Sequence, residues 1–196
     1  TSFDETVYML QVPTDDVEKM DKAFQILGDW AHNMTMEGEE IEKERGVVIE
    51  EWRLGQGANM RMINKQFPIM LKDSKYAKRL PIGQKAVLDT FRHETVKKFY
   101  QDWYRPELMA VISVGDFDES NVIKLIDKYF SNIPKSKNLV QRPVIPVPDH
   151  DETLFAIASD PEATYSNVSI IHKFDIEEDK SSVNAFRKGL VFNLYN

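Results

Sequence analysis

Two glutamates seven residues apart, Glu44 and Glu51, carry the clearest chemical signal in this chain. They lie in residues 38–54, whose apolar positions have helical spacing. An α-helix turns about 100° per residue, so a side chain seven positions on returns to within about 20° of its starting direction. With Ile41 as origin, Leu54, Val47, Val48, Ile41 and Trp52 occupy one arc of roughly 160°, and both glutamates fall in its middle. Glu39, Glu42, Glu50 and Arg53 face the other way, while Glu40 shares the arc in the first turn, where a carboxylate suits the helix dipole. A carboxylate at the centre of an apolar stripe is expected to be buried. Unpaired, it would cost several kcal/mol, about ten times the ~0.2–0.5 kcal/mol of a helix-surface charge pair. A metal ion, a buried arginine from a neighbouring element or a hydrogen-bond network would each compensate, and composition does not choose among them.

Other ligand types are sparse. The chain has no cysteine, which excludes disulfides, thiolate metal sites and a cysteine nucleophile. Its four histidines, His32, His93, His150 and His172, are isolated, and no two stand four apart as a zinc-binding helix requires. Gly115-Asp116-Phe117-Asp118 is a turn with a helix cap rather than a metal loop, and Gly55-x-Gly57 follows a helix instead of a strand, so it is no phosphate cradle.

The elements around the glutamate helix follow from periodicity. Residues 3–12, rich in β-branched and aromatic side chains and ended by Pro13, predict a strand. Asp15 with Glu18 forms a capping pair for a helix whose stripe is Val17, Met20, Phe24, Leu27, Ala31 and Met34. After Leu54 the spacing predicts a helical piece broken near Pro68, a loop through Pro81-Ile82-Gly83 and a helix over 91–104. The apolar run 108–114 predicts a strand covered on both faces, followed by a helix from Asp118 or Ser120 to before Pro134. Pro143, Pro146 and Pro148 mark 135–149 as a linker, placing one domain over 1–134 and the beginning of a second, similar one over 150–196. That second part holds strands over 153–158 and 167–174 and a closing helix from about Val183 to Asn196. The predicted fold class is α+β, a mixed or antiparallel sheet with packed helices.

Composition narrows the function classes. At 42% hydrophobic and 29% charged residues the chain lies in the globular range, and no apolar run reaches the roughly 20 residues of a membrane-spanning helix. The net charge of −7 is spread over short stretches without a basic stripe, which argues against a nucleic-acid partner. The first residue is Thr1 rather than methionine, as expected if the natural chain starts earlier.

Glu44-Arg45-Gly46-Val47-Val48-Ile49-Glu50-Glu51 resembles the Glu-Arg-x-x-Val-x-x-Glu segment of the pitrilysin/insulinase family, the inverzincins, bacterial type. The segments 1–8, 81–83, 104–106 and 114–116 resemble the same family, so the likeness covers most of the chain. It implies a zinc metallopeptidase in which Glu51 is the anionic metal ligand and Glu44 the supporting catalytic carboxylate. It also implies that Thr1, Ser2 and Phe3 lie beside the sheet edge to which a peptide substrate adds as a strand. The family's His-x-x-Glu-His segment is absent, so the chain is expected to be an internal piece, inactive by itself, that meets the remaining domains of its parent or a homologous subunit. A non-catalytic homologue or chamber-closing partner subunit is the alternative. The implied location is the bacterial periplasm or cell envelope, with the cytoplasm second.

Overall fold

Seven α-helices account for most of the regular structure in the computed structural model, which describes residues 1–135, 140–173 and 182–195. They are α1 (Val17–His32), α2 (Gly38–Leu54), α3 (Ala58–Met70), α4 (Lys85–Thr90), α5 (His93–Trp103), α6 (Glu119–Phe130) and α7 (Val183–Tyr195), with 3-10 turns at Lys75–Lys78 and Pro106–Leu108.

The cap of α1 is Asp16, not Asp15: its carboxylate accepts the Lys19 N–H at 3.0 Å, satisfying a donor that the first turn leaves open. α1 buries Ala23 and Phe24, and Gly28 lets α6 approach so closely that a β-carbon there would lie 3.2 Å from the Tyr129 carbonyl oxygen. Across the same contact Asp21 accepts from Lys128 Nζ at 2.6 Å and the Tyr129 hydroxyl at 2.7 Å, which holds its carboxyl below the ordinary range. α5 joins through buried Tyr100, whose hydroxyl donates to the Trp30 carbonyl at 2.8 Å. Next to it Tyr104 packs its ring 4.5 Å from that of Tyr100 and its hydroxyl 2.5 Å from that of Tyr8. Burial first, then this bond to Tyr8, pushes the Tyr104 phenol well up. Ala23, Phe24, Ile41, Tyr100 and Val122 form the buried apolar core.

Two local expectations change, while α3 ends at Met70, two residues past the proline near which a break was expected. Residues 85–90 form a helix that periodicity did not single out. α5 begins at His93 rather than at 91.

The α+β expectation is corrected outright, since no strand and no sheet is found among the described residues. Segments 3–12, 108–114, 153–158 and 167–173 have no ladder, and Phe174 lies outside the described residues. Ile112 (82% exposed), Val114 (91%), Ile157 (92%) and Val168 (93%) face solvent. Apolar runs encode a preference to leave water, whereas a strand also needs a neighbouring backbone to exchange hydrogen bonds with, and among the described residues these segments make no such ladder. Part of the expected linker, 136–139, and the expected helix end at Asn196 also lie outside the described residues. No described helix is long and apolar enough to cross a membrane.

Candidate functional site

α2 spans the residues the pattern assigned to it, entered at Gly38 and closed where the Gly55 N–H donates to the Glu51 carbonyl at 3.0 Å. Its apolar arc is divided. Ile41 is buried and Val48 and Trp52 are half-buried, on the side where α4 packs. Val47 (59% exposed) and Leu54 (71%) are open, and Glu44 and Glu51, which fall between Val47 and half-buried Val48 around the helix, are both exposed. The expected burial of the pair is therefore corrected, because solvent covers the half of the arc that carries the glutamates. Among the described residues neither carboxylate has an ion-pair or hydrogen-bond partner, and the two arginines of α2 are committed elsewhere.

Arg53 pairs with Glu50 on the exposed face. Arg45 is the hub that seats α2. Its side chain is 13% exposed, and its guanidinium binds Glu42 through Nε at 3.0 Å and Nη2 at 2.9 Å. Nη1 donates to the Leu88 carbonyl at 2.7 Å and Nη2 to the Phe91 carbonyl at 2.8 Å, while the group stacks 3.8 Å over the Phe91 ring. These carbonyls lie at the C-terminal end of α4, where a cation satisfies orphan acceptors and the helix dipole together. His93, the first residue of α5, places Nε2 2.5 Å from Glu42 Oε1. Arg45 first, then His93, hold the Glu42 carboxyl down to about 2. A β-carbon at Gly38 would meet His93 Nδ1 at 2.9 Å, so the ring lies flush against the start of α2. This docking cluster escaped sequence reasoning because Glu42 and Arg45 have the spacing of an ordinary surface pair.

The remaining sequence candidates scatter. Thr1 and Ser2 are exposed, and Phe3 stacks on Phe67 of α3 at 6.4 Å and meets Tyr76 edge-on at 5.1 Å. The Tyr76 hydroxyl donates to Asp4 at 2.7 Å, anchoring this segment to α3 and the turn after it. His32 sits in the last turn of α1, His172 is exposed, and His150 Nδ1 is 2.6 Å from the Glu152 carbonyl oxygen. No group of three or more His, Asp or Glu side chains is placed to hold a metal ion among the described residues. Glu51 suits zinc as one carboxylate ligand of three, and two further protein donors would have to come from outside them.

Comparison with known proteins agrees with the motif on α2. Residues 1–68 match the family model described as Insulinase (Peptidase family M16), and residues 90–176 match the model described as Peptidase M16 inactive domain. A relative named "Zinc protease PQQL-like" from Arabidopsis thaliana is 40% identical over 196 residues, covering all of this chain and 20% of the relative. "Probable zinc protease PqqL" from Escherichia coli (strain K12) is 30% identical over 199 residues, covering all of this chain and 21% of that protein. The chain thus spans about a fifth of the length of these relatives. The crystal structure of the first half of the periplasmic protease PqqL from Escherichia coli superposes with a TM-score of 0.65 at 32% identity, over 71% of this chain and 30% of that one. With models of one family matching both its N-terminal residues and its later half, the chain belongs to the insulinase-type peptidase family M16.

Proposed function

We propose that this chain contributes the glutamate helix of a zinc peptidase that cleaves peptides or unfolded polypeptides, with Glu51 as the anionic metal ligand and Glu44 as the carboxylate supporting it. The observation that carries this reading is the open face of α2. Two carboxylates project from it in nearly the same direction, two turns apart, next to exposed Val47 and unpaired among the described residues, in a chain whose relatives are named zinc proteases. When bound, zinc supplies Lewis acidity and an acidified water. Glu51 supplies negative charge and an oxygen donor, and Glu44, about 20° away around the helix, supplies a second charge that steadies the local cation balance. Arg45 and His93 hold the helix in its rotation, so that the glutamate face stays clear of α4. Thr1, Ser2 and Phe3 would line the approach of an extended peptide, with the Phe3 ring anchored on α3 and the segment's outer side open. The histidine ligands, the partner domains or homologous subunit and a place in the bacterial periplasm or cell envelope complete the proposal, as does the division at 135–149. The location draws on the likeness to PqqL of Escherichia coli, a periplasmic protease.

A second reading, a non-catalytic homologue or chamber-closing subunit, is favoured by one observation, the match of residues 90–176 to a model described as an inactive domain. The experiment is the same for both. In the full-length protein Glu51→Gln is expected to abolish zinc retention and peptide hydrolysis, while Glu44→Gln impairs hydrolysis by about 10–100-fold with a smaller loss of metal. Unaltered zinc content and turnover in Glu51→Gln would remove the ligand assignment, and a full-length protein that holds no zinc would select the second reading.

A further inference from the structure

Three cations in and just after α3 meet an acidic stretch from much later in the chain. Arg61 and Lys65 stand one turn apart on α3, and Lys72 follows in the turn beyond it. The Arg61 guanidinium grips Asp160 with two parallel bonds, Nε to Oδ2 and Nη2 to Oδ1, each 2.7 Å, and Nη2 also reaches Glu162 at 2.6 Å. Lys65 Nζ lies 3.5 Å from the Ser159 carbonyl oxygen, and Lys72 Nζ donates to Glu152 at 2.6 Å. The pairing order shows that residues 152–162 cross α3 antiparallel to it.

Both ends of the grip are pre-set. The Glu162 N–H donates to Asp160 Oδ1 at 3.1 Å and the Ala163 N–H to the Asp160 carbonyl at 3.0 Å, so a tight turn fixes the carboxylate, whose side chain is 7% exposed. On the other side Arg61 Nη1 donates to the Gln56 carbonyl at 2.9 Å. Gln56 belongs to the turn between α2 and α3, where its own N–H donates to the Arg53 carbonyl at 3.2 Å. A continuous run of hydrogen bonds therefore leads from Asp160 through one guanidinium to the last turn of α2. Arginine alone among cations has the fork geometry to hold a carboxylate bidentately and a carbonyl at the same time.

We propose that residues 152–162 form a strap across α3, locked by Arg61, that sets the conformation of the α2–α3 turn from a position 99 residues further along the chain. The strap joins residues in the two stretches matched by the two family models, so it couples their movement. It stands independently of whether Glu51 meets a metal.

Hydrogen exchange of the full-length protein, followed by mass spectrometry, tests this. Asp160→Asn is expected to speed exchange of the amides of residues 52–61 about tenfold, while amides in α1 keep their protection. Arg61→Lys should do the same, because lysine keeps the charge and loses the fork. Lys72→Gln should loosen residues around Glu152 and leave 52–61 unchanged. Protection of 52–61 within about twofold of the unaltered protein in Asp160→Asn overturns the proposal. So does unaltered protection in Arg61→Lys, which carries the test by itself if Asp160→Asn does not fold.

Discussion

Replacing Arg45 by methionine keeps an unbranched apolar stem and removes the five donors of the guanidinium. The change leaves the Leu88 and Phe91 carbonyls without their partner and strips the cation from the face of the Phe91 ring. Hydrogen bonds from a charged donor contribute about 1.5–3 kcal/mol each and a cation over an aromatic ring about 0.5–1 kcal/mol. The side chain is 13% exposed, so water replaces part of what is lost, and the net cost is about 2–4 kcal/mol. For a chain of this size each kcal/mol moves the midpoint of thermal unfolding by about 2–4 °C, so a fall of about 4–16 °C is expected. The control lies on the same helix: Arg53 pairs with Glu50 in solvent, so Arg53→Met should leave the midpoint where it was. Urea and thermal unfolding by circular dichroism, at one pH and salt concentration, measure both. A loss below about 1 kcal/mol for Arg45→Met, or equal losses for the two variants, would refute the role of Arg45 in seating α2.

Gly28→Ala tests the α1–α6 contact: alanine gains about 1 kcal/mol of helix propensity, but its β-carbon presses on the Tyr129 carbonyl, which belongs to backbone and yields little. Overpacking costs about 1–3 kcal/mol, so a net loss is expected in urea unfolding, and a gain would mean that α6 moves freely. Acid should act through Glu42 and Asp160, both held down to about 2 by their arginines. Because their folded values are depressed, their stabilisation is present above the unfolded carboxylate range and disappears as pH falls from about 4.5 towards 2. Unfolding midpoints measured from pH 6 to 2.5 should stay level above that window and drop within it, with a smaller drop in Glu42→Gln.

The position of α2 was legible because its stripe, its glycine boundaries and the Glu-Arg-x-x-Val-x-x-Glu motif agree residue by residue. The angular placement of Glu44 and Glu51 followed from helix geometry alone, but their burial did not. A stripe records where apolar residues point, and only half of this one meets α4. The run Leu108–Val114 failed as a strand for a related reason: its composition carries the tendency to leave water and no information about which backbone completes the ladder. Arg45 was hidden by its own neighbour, since a Glu42–Arg45 spacing looks like a surface pair until Phe91 and His93 are brought in from 46 and 51 residues away. Asp160 and Arg61 were equally invisible, each ordinary alone and paired only across the fold.

The ties that organise these helices are few and far-reaching: Tyr8 to Tyr104 closes 96 residues, Asp21 to Lys128 closes 107 and Arg61 to Asp160 closes 99. Their spans overlap in sequence, so the chain closes as large loops of similar size that share residues rather than as a string of hairpins. The first such closure carries a large entropy cost that grows only slowly with length, as about 3/2 RT times the logarithm of the span. Each later one closes a loop already shortened by those before it and so costs less. Helices α1, α2 and α6 form locally and quickly, while their assembly waits on encounters between residues about a hundred positions apart. Folding of this chain is thereby made cooperative by its connectivity, with the first successful long-range tie lowering the barrier to all the rest.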